Sequence, residues 1–207
     1  MPVRNFFVED ERSARRFLRA AGFDANFDEV KLMLINKHDP EQSLAPFLDV
    51  MKDGNDAGII SEAGCPGVAD PGAAIVKAAH EQGIEVVPLV GPSSILLALM
   101  ASGMNGQSFS FVGYLPIDKS ERRSRIQQLE QLSAKQDQTQ IFIEAPYRNN
   151  QLVADLFQQL NENTLLCIAA NITMHNQFIR TQTVKQWKRS KIELIKQPAV
   201  FLLHKSI

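Results

Sequence analysis

Apolar positions along the first hundred residues follow two alternating rhythms. Short apolar runs lie at Phe6-Phe7-Val8, residues 31–36 (KLMLIN), 57–61 and 84–89. Between them, apolar residues recur every three to four positions, the helical period. In residues 13–21 these are Ala14, Phe17, Leu18 and Ala21, predicting one inward stripe with Gly22 as the stop. A second helix is predicted from Pro40 and Glu41 to Lys52, with Leu44, Phe47, Leu48 and Met51 inward. A third covers residues 71–82, opened by Asp70 as N-cap ahead of Pro71 and ended by Gly83. The fourth, residues 92–102, is apolar nearly all round and predicts a buried helix. Strand-loop-helix units in succession predict an α/β domain with a parallel sheet. Ligands in such sheets bind at the carboxyl ends of the strands. That places candidate loops at residues 62–72, with Gly64, Pro66, Gly67, Pro71 and Gly72, and at 90–94, with Gly91 and Pro92. Glycines let a ligand approach the main chain, and prolines shape the loop without adding N–H groups. Ordinary turns have the same composition.

The pattern changes near Pro116. Residues 108–115 (SFSFVGYL) alternate aromatic and small side chains and predict a strand. Residues 118–138 predict the most polar helix, carrying Glu121, Arg122, Arg123, Arg125 and Lys135. Strands are predicted at 139–144, 164–171, 178–184 and 199–204, with a helix at 149–160 turning Leu152, Leu156 and Phe157 inward. Because composition and periodicity both shift there, the expected domains are residues 1–116 and 117–207.

The chain has 207 residues, 44% hydrophobic and 22% charged, with a formal net charge of −1. That composition is ordinary for a globular protein. It carries no global basic excess of the kind nucleic-acid binders show, although a local patch stays open. Arg12, Arg15, Arg16 and Arg19 form such a patch, either a solvated face or an anion contact. No apolar run approaches the about 20 residues of a membrane span. The first residues turn charged without a secretory apolar region. Cys65 and Cys167 have neither metal-ligand spacing nor a disulfide framework. A cytoplasmic protein without metal or membrane association is expected.

Several segments, in order, carry a family resemblance. Residues 61–72 read SEAGCPGVADPG, 87–94 VPLVGPSS, 109–116 FSFVGYLP and 142–148 FIEAPYR. They resemble segments of the tetrapyrrole methylase superfamily, which uses S-adenosylmethionine, and within it the branch that methylates small-subunit ribosomal RNA. The corresponding patterns there are SDAGTPxxxDPG, VPLPGPSA, FxFxGFLP and FExPHR. The resemblance implies two α/β domains, the first with a parallel and the second with a mixed sheet, a cofactor cleft between them, and a homodimer. It implies cofactor contacts at Ser61, Glu62, Ala63, Gly64, Cys65, Pro66, Gly91, Pro92, Ser93 and Ser94. From the second domain it adds Pro146, Tyr147, Asn171 and Thr173. Cys65, Val90 and Tyr147 depart from the family's usual Thr, Pro and His. Relative to the family pattern a front strand, loop and helix are absent, about 20–35 residues at typical element lengths. This reads as a truncated gene model or a natural truncation.

The implied reaction is methylation of a ribose 2′-hydroxyl in ribosomal RNA of the small subunit. Alternatives are a tetrapyrrole or other small substrate, and an inactive homologue that only binds. A hydroxyl acceptor needs a proton acceptor. Glu9 and Asp10 match the family's acidic pair, and Glu62 follows a strand toward the implied cleft, so these three are the catalytic candidates. Each has an ordinary role open to it, as do Asp70 as a cap and Glu144 as a partner of Arg148. Arg122, Arg123 and Arg125 join the helix at 13–21 as candidate phosphate contacts. Cys65 reads as a small packing residue without a charge partner, and His175 as a surface residue.

Overall fold

The structure, a computed structural model, describes residues 3–35, 43–52, 54–62 and 64–205. The chain forms two compact units, Met1–Pro92 and Ser93–Ile207.

The first unit holds a parallel three-stranded sheet in the order β2-β1-β3, with β1 at Asn5–Val8, β2 at Lys31–Leu34 and β3 at Ala57–Ile60. Three helices accompany it: α1 at Glu11–Ala20, α2 at Ala45–Lys52 and α3 at Ala73–Glu81. Successive strand residues face opposite sides, and β1 shows why both sides are covered. Phe6 and Val8 pack with Ala14 and Leu18 of α1 and with Val30. Phe7 packs on the other face with Phe47 of α2 and Ile75 of α3, its ring edge-on to Phe47 at 4.9 Å. Gly58 permits this packing, because a Cβ there would stand 2.9 Å from the Phe6 ring.

One expectation for this unit goes unanswered and three change. The opening of the helix expected at Pro40 and Glu41 lies outside the described residues. Helix α3 starts at Ala73 with Gly72 at its N-cap, so Asp70 is not the cap. Gly72 has φ +125°, a conformation side chains rarely adopt, and it delays the helix past Pro71. Phe17 is not inward but 57% exposed. Residues 84–89 form no strand. Among the described residues β3 pairs only with β1, so this apolar run has no ladder to join. Val87, Leu89 and Val90 are 66%, 87% and 106% exposed.

The second unit is built on a five-stranded mixed sheet in the order β4-β5-β8-β6-β7. Its strands are β4 at Phe109–Tyr114, β5 at Thr139–Ile143, β6 at Leu165–Ala170, β7 at Phe178–Thr183 and β8 at Ala199–His204. Only the β4–β5 pair is parallel. Central β8 is buried along its whole length, as a strand covered on both faces must be. Val200 and Leu202 face α4 (Ser94–Ser102). Phe201 and Leu203 face the core shared with α5 (Lys119–Gln136) and α6 (Asn149–Gln159). A one-turn helix, α7 (Val184–Trp187), opens on a Thr183/Gln186 capping box that the apolar pattern did not announce. Its Trp187, 1% exposed, donates its indole N–H to the Leu166 carbonyl at 2.8 Å.

Because α4 and β4 pack into this second sheet, the units meet at Pro92 and Ser93, upstream of the shift near Pro116. Helix α4 is also less enclosed than expected: Ala98 and Leu99 are buried, whereas Leu96 and Met100 are 50% and 78% exposed. Arg122 of α5 is buried rather than presented to phosphates. Its Nε and Nη2 donate to Asp155 at 2.9 and 2.6 Å, and Nη1 donates to the Ile117 carbonyl at 2.7 Å. The guanidinium thereby ties the segment after β4 to α6.

Candidate functional site

The carboxyl ends of β1 and β3 bring the three catalytic candidates together. Glu9 and Asp10 leave β1, and Ser61 and Glu62 leave β3 beside it. The Glu62 main-chain N–H donates to Glu9 Oε1 at 3.1 Å. Asp10 caps α1, accepting from the Ser13 N–H at 2.8 Å. Ser13 Oγ stands 2.7 Å from Asp10 Oδ1 and 2.7 Å from Glu62 Oε1. One hydroxyl carries one proton, so it donates to one carboxylate at a time. The Ser13 N–H, and then its hydroxyl, hold the Asp10 carboxyl below the usual carboxylate range. The charge of Asp10 is therefore committed to the helix cap, which leaves Glu62 and Glu9 the better placed proton acceptors. Sequence reasoning missed Ser13. Its signal was an aspartate followed three residues later by serine, the spacing of a capped first turn.

These groups line a pit of about 60 Å³ with Val8, Ala14, Phe17, Ile60 and Ser61. The pit admits a hydroxyl or water molecules, not a nucleoside.

The loop after β3 turns sharply at Gly64, φ +90°, where the Ser61 hydroxyl donates to the Gly64 carbonyl at 3.3 Å. Ala63 lies outside the described residues. Cys65 Sγ approaches the Pro92 carbonyl at 3.8 Å, so the two expected loops meet within the first unit at Cys65 and Pro92. Val90 and Gly91 make no hydrogen bond among the described residues. A Cβ on Gly91 would meet nothing within 4 Å. The fold itself therefore leaves this main chain open, as a loop that holds a ligand through backbone groups requires. Pro66 is exposed in the same loop, and Ser93 and Ser94 begin α4, Ser93 at its N-cap.

In the second unit, Pro146 and Tyr147 form the short turn after β5. Buried Glu144 secures it, its Oε1 accepting from the Ala145 N–H at 2.7 Å and from Arg148 Nε and Nη2 at 2.9 and 2.6 Å. That bond raises the Arg148 pKa further. The Arg148 guanidinium lies 5.3 Å from the ring centroid of Tyr147, which is 74% exposed. Glu144 is thus a positioning group for the turn. Asn171 and Thr173 follow β6 with φ +50° and +69°. For a β-branched residue such as Thr173 this is a strained conformation, and such strain concentrates at functional sites. The Gln177 side chain accepts from the Thr173 N–H at 2.7 Å and holds it there. Asn171 is buried, its N–H bonded to the Pro198 carbonyl at 3.0 Å.

Among the described residues no helix is long and apolar enough to cross a membrane. No group of three or more His, Cys, Asp or Glu among them is placed to hold a metal ion.

Comparison with known proteins gives the family and the fold. The chain is 32% identical over 188 residues to ribosomal RNA small subunit methyltransferase I of Micromonospora olivasterospora, covering 90% of this chain and 57% of that protein. To the protein of the same name from Bacillus subtilis it is 33% identical over 152 residues, 73% of this chain and 51% of that one. The chain thus spans about half the length of these curated relatives. The crystal structure of the methyltransferase CobJ superposes with a TM-score of 0.63 over 98% of this chain and 83% of CobJ, at 17% identity, so the α/β fold is shared. The family of tetrapyrrole (corrin/porphyrin) methylases matches residues 8–188, and the chain belongs to that family.

Proposed function

We propose that the chain is an S-adenosylmethionine-dependent methyltransferase acting on a ribose hydroxyl of small-subunit ribosomal RNA. The observation that carries this reading is the meeting of the two loops at Cys65 and Pro92, on the loop that leaves β3 through Ser61 and Glu62 of the pit. The open main chain at Val90 and Gly91 fits a cofactor held by backbone groups. S-adenosylmethionine would supply an electrophilic methyl group on a sulfonium. Residues 61–66 and 91–94 would hold it, and the family resemblance adds Pro146, Tyr147, Asn171 and Thr173 as further contacts. Glu62, with Glu9 beside it, accepts the proton of the attacking hydroxyl. Ser13 orients the Glu62 carboxylate, and Asp10 fixes Ser13 through the helix cap. Displacement at a sulfonium depends mainly on alignment, and positioning alone is worth about 7–11 kcal/mol. The relatives named for ribosomal RNA methylation support RNA as the substrate class. That substrate implies action in the cytoplasm. The family resemblance implies a homodimer, for which the exposed Leu96 and Met100 on α4 offer apolar surface.

The test has two parts. Calorimetric titration with S-adenosylmethionine should give saturable one-site binding. Incubation with small ribosomal subunits and methyl-labelled cofactor should label a ribose, and Glu62→Gln should lose about 10²–10⁴-fold in rate, the span of general-base assistance. Label appearing on a macrocycle but not on RNA would move the substrate to the tetrapyrrole class. A second reading, a protein that binds without transferring methyl groups, draws on the unpaired run at residues 84–89. Cofactor binding without methyl transfer to either substrate would favour it.

A further inference from the structure

Phe17 is largely exposed, although its helix buries other apolar residues. Ala14 and Leu18 of α1 are 4% and 6% exposed, whereas Phe17 is 57% exposed. Its ring lines the pit that holds Asp10, Ser13 and Glu62. On a helix, Ser13 and Phe17 stand one turn apart in the same row, and Arg12 and Arg16 form the adjacent row. Both arginines are exposed, and among the described residues neither has an ion-pair partner. The other two arginines of α1 are engaged. Arg15 pairs with Glu11, and the guanidinium carbons of Arg15 and Arg19 lie 5.6 and 5.1 Å from the Phe27 ring centroid.

We propose that α1 is a landing platform for one nucleotide of a single-stranded RNA, with its base stacked on Phe17 and its flanking phosphates on Arg12 and Arg16. Three features converge on one ligand chemistry. An exposed ring offers a face that any base can stack on. Two exposed guanidiniums in the adjacent row match a polyanionic backbone. In the pit that the ring lines, Glu62 can accept a hydroxyl proton, and the Glu62 and Asp10 carboxylates repel phosphate, which favours the sugar at the pit and the backbone at the arginines. A protein partner fits less well, because the carboxylates Asp10 and Glu62 that share the pit with the ring are residue types depleted at interface centres. The proposal rests on the reading of the chain as an RNA methyltransferase and assigns the residues that would grip the substrate.

The experiment is fluorescence anisotropy of the full chain with a labelled twelve-nucleotide single-stranded RNA of mixed sequence. Phe17→Ala should weaken binding about five- to 150-fold, while Phe17→Trp should retain it. Arg12→Ala and Arg16→Ala should each flatten the slope of log affinity against log salt by about 0.7. An abasic strand of equal length should bind wild type and Phe17→Ala alike. Circular dichroism should show Phe17→Ala folded, since the ring is exposed. Wild-type affinity in Phe17→Ala, or no RNA binding by wild type, overturns the proposal. So does a Phe17-dependent self-association in sedimentation, which would show the ring covered by a second copy. Titration with S-adenosylmethionine keeps the two readings apart: cofactor binding that survives when RNA binding fails removes the platform and leaves the methyltransferase.

Discussion

Ser13 shows how much one hydroxyl can organise. It touches the cap of α1 through Asp10 and the candidate base Glu62 across the sheet. The Asp10 carboxyl is held below its ordinary value of 3.8 by that cap. A depressed folded-state pKa contributes stability above the unfolded value and loses it as pH falls through the folded value. Thermal melts from pH 5 to pH 2.5 should therefore show wild type losing stability below about pH 4, with Asp10→Asn less pH-sensitive over that interval. At Arg122 the expected effect is larger and of another kind. Arg122→Ala would leave Asp155, 3% exposed, without its two short hydrogen bonds and with the longer Arg123 Nε contact at 3.8 Å in their place. Removing one member of such a pair costs about 3–5 kcal/mol, measurable in urea unfolding. Neither arrangement could be read in advance, because capping and ion-pair partners depend on which segments meet. The sequence placed Glu9, Asp10 and Glu62 at strand ends, and there they are. It did not show that Ser13 joins them, or that Arg122 turns inward.

Among the elements, legibility followed sheet membership. Helices α5 and α6 and strands β4 to β8 lie where period and turn chemistry put them, because each is covered by neighbours its own pattern anticipates. The run at residues 84–89 has equal β-branched and apolar character and forms no strand. Apolar pattern shows what a segment can become, while hydrogen-bonded neighbours decide what it is. A pair of substitutions makes the contrast measurable. Leu203→Ala, in fully buried β8, should cost about 2–5 kcal/mol. Leu89→Lys should change stability by no more than about 0.5 kcal/mol, since that side chain is already 87% exposed. A loss near 2 kcal/mol at Leu89 would mean the run is covered in solution.

On the scale of the whole molecule, the two units differ in how they are held. The first relies on a three-stranded sheet with two small apolar clusters. The second has five strands with layers of buried residues on both faces. Units so different should not unfold together. Brief proteolysis should cut first within residues 84–92, an exposed segment outside any helix or strand, and mass spectrometry should find a persistent fragment beginning near Ser93. An uncut chain under conditions that digest a denatured control would count against that order.

Trp187 is the chain's single tryptophan, and it lies buried in the second unit. Indole emission is therefore a local gauge. It will register melting of the C-terminal half, while far-ultraviolet dichroism will register both halves, and the separation between the two curves measures their independence. The first unit carries no tryptophan of its own, so a screen by indole emission has no reporter on the Phe17 ledge, and a labelled strand has to supply the signal where RNA is expected to land.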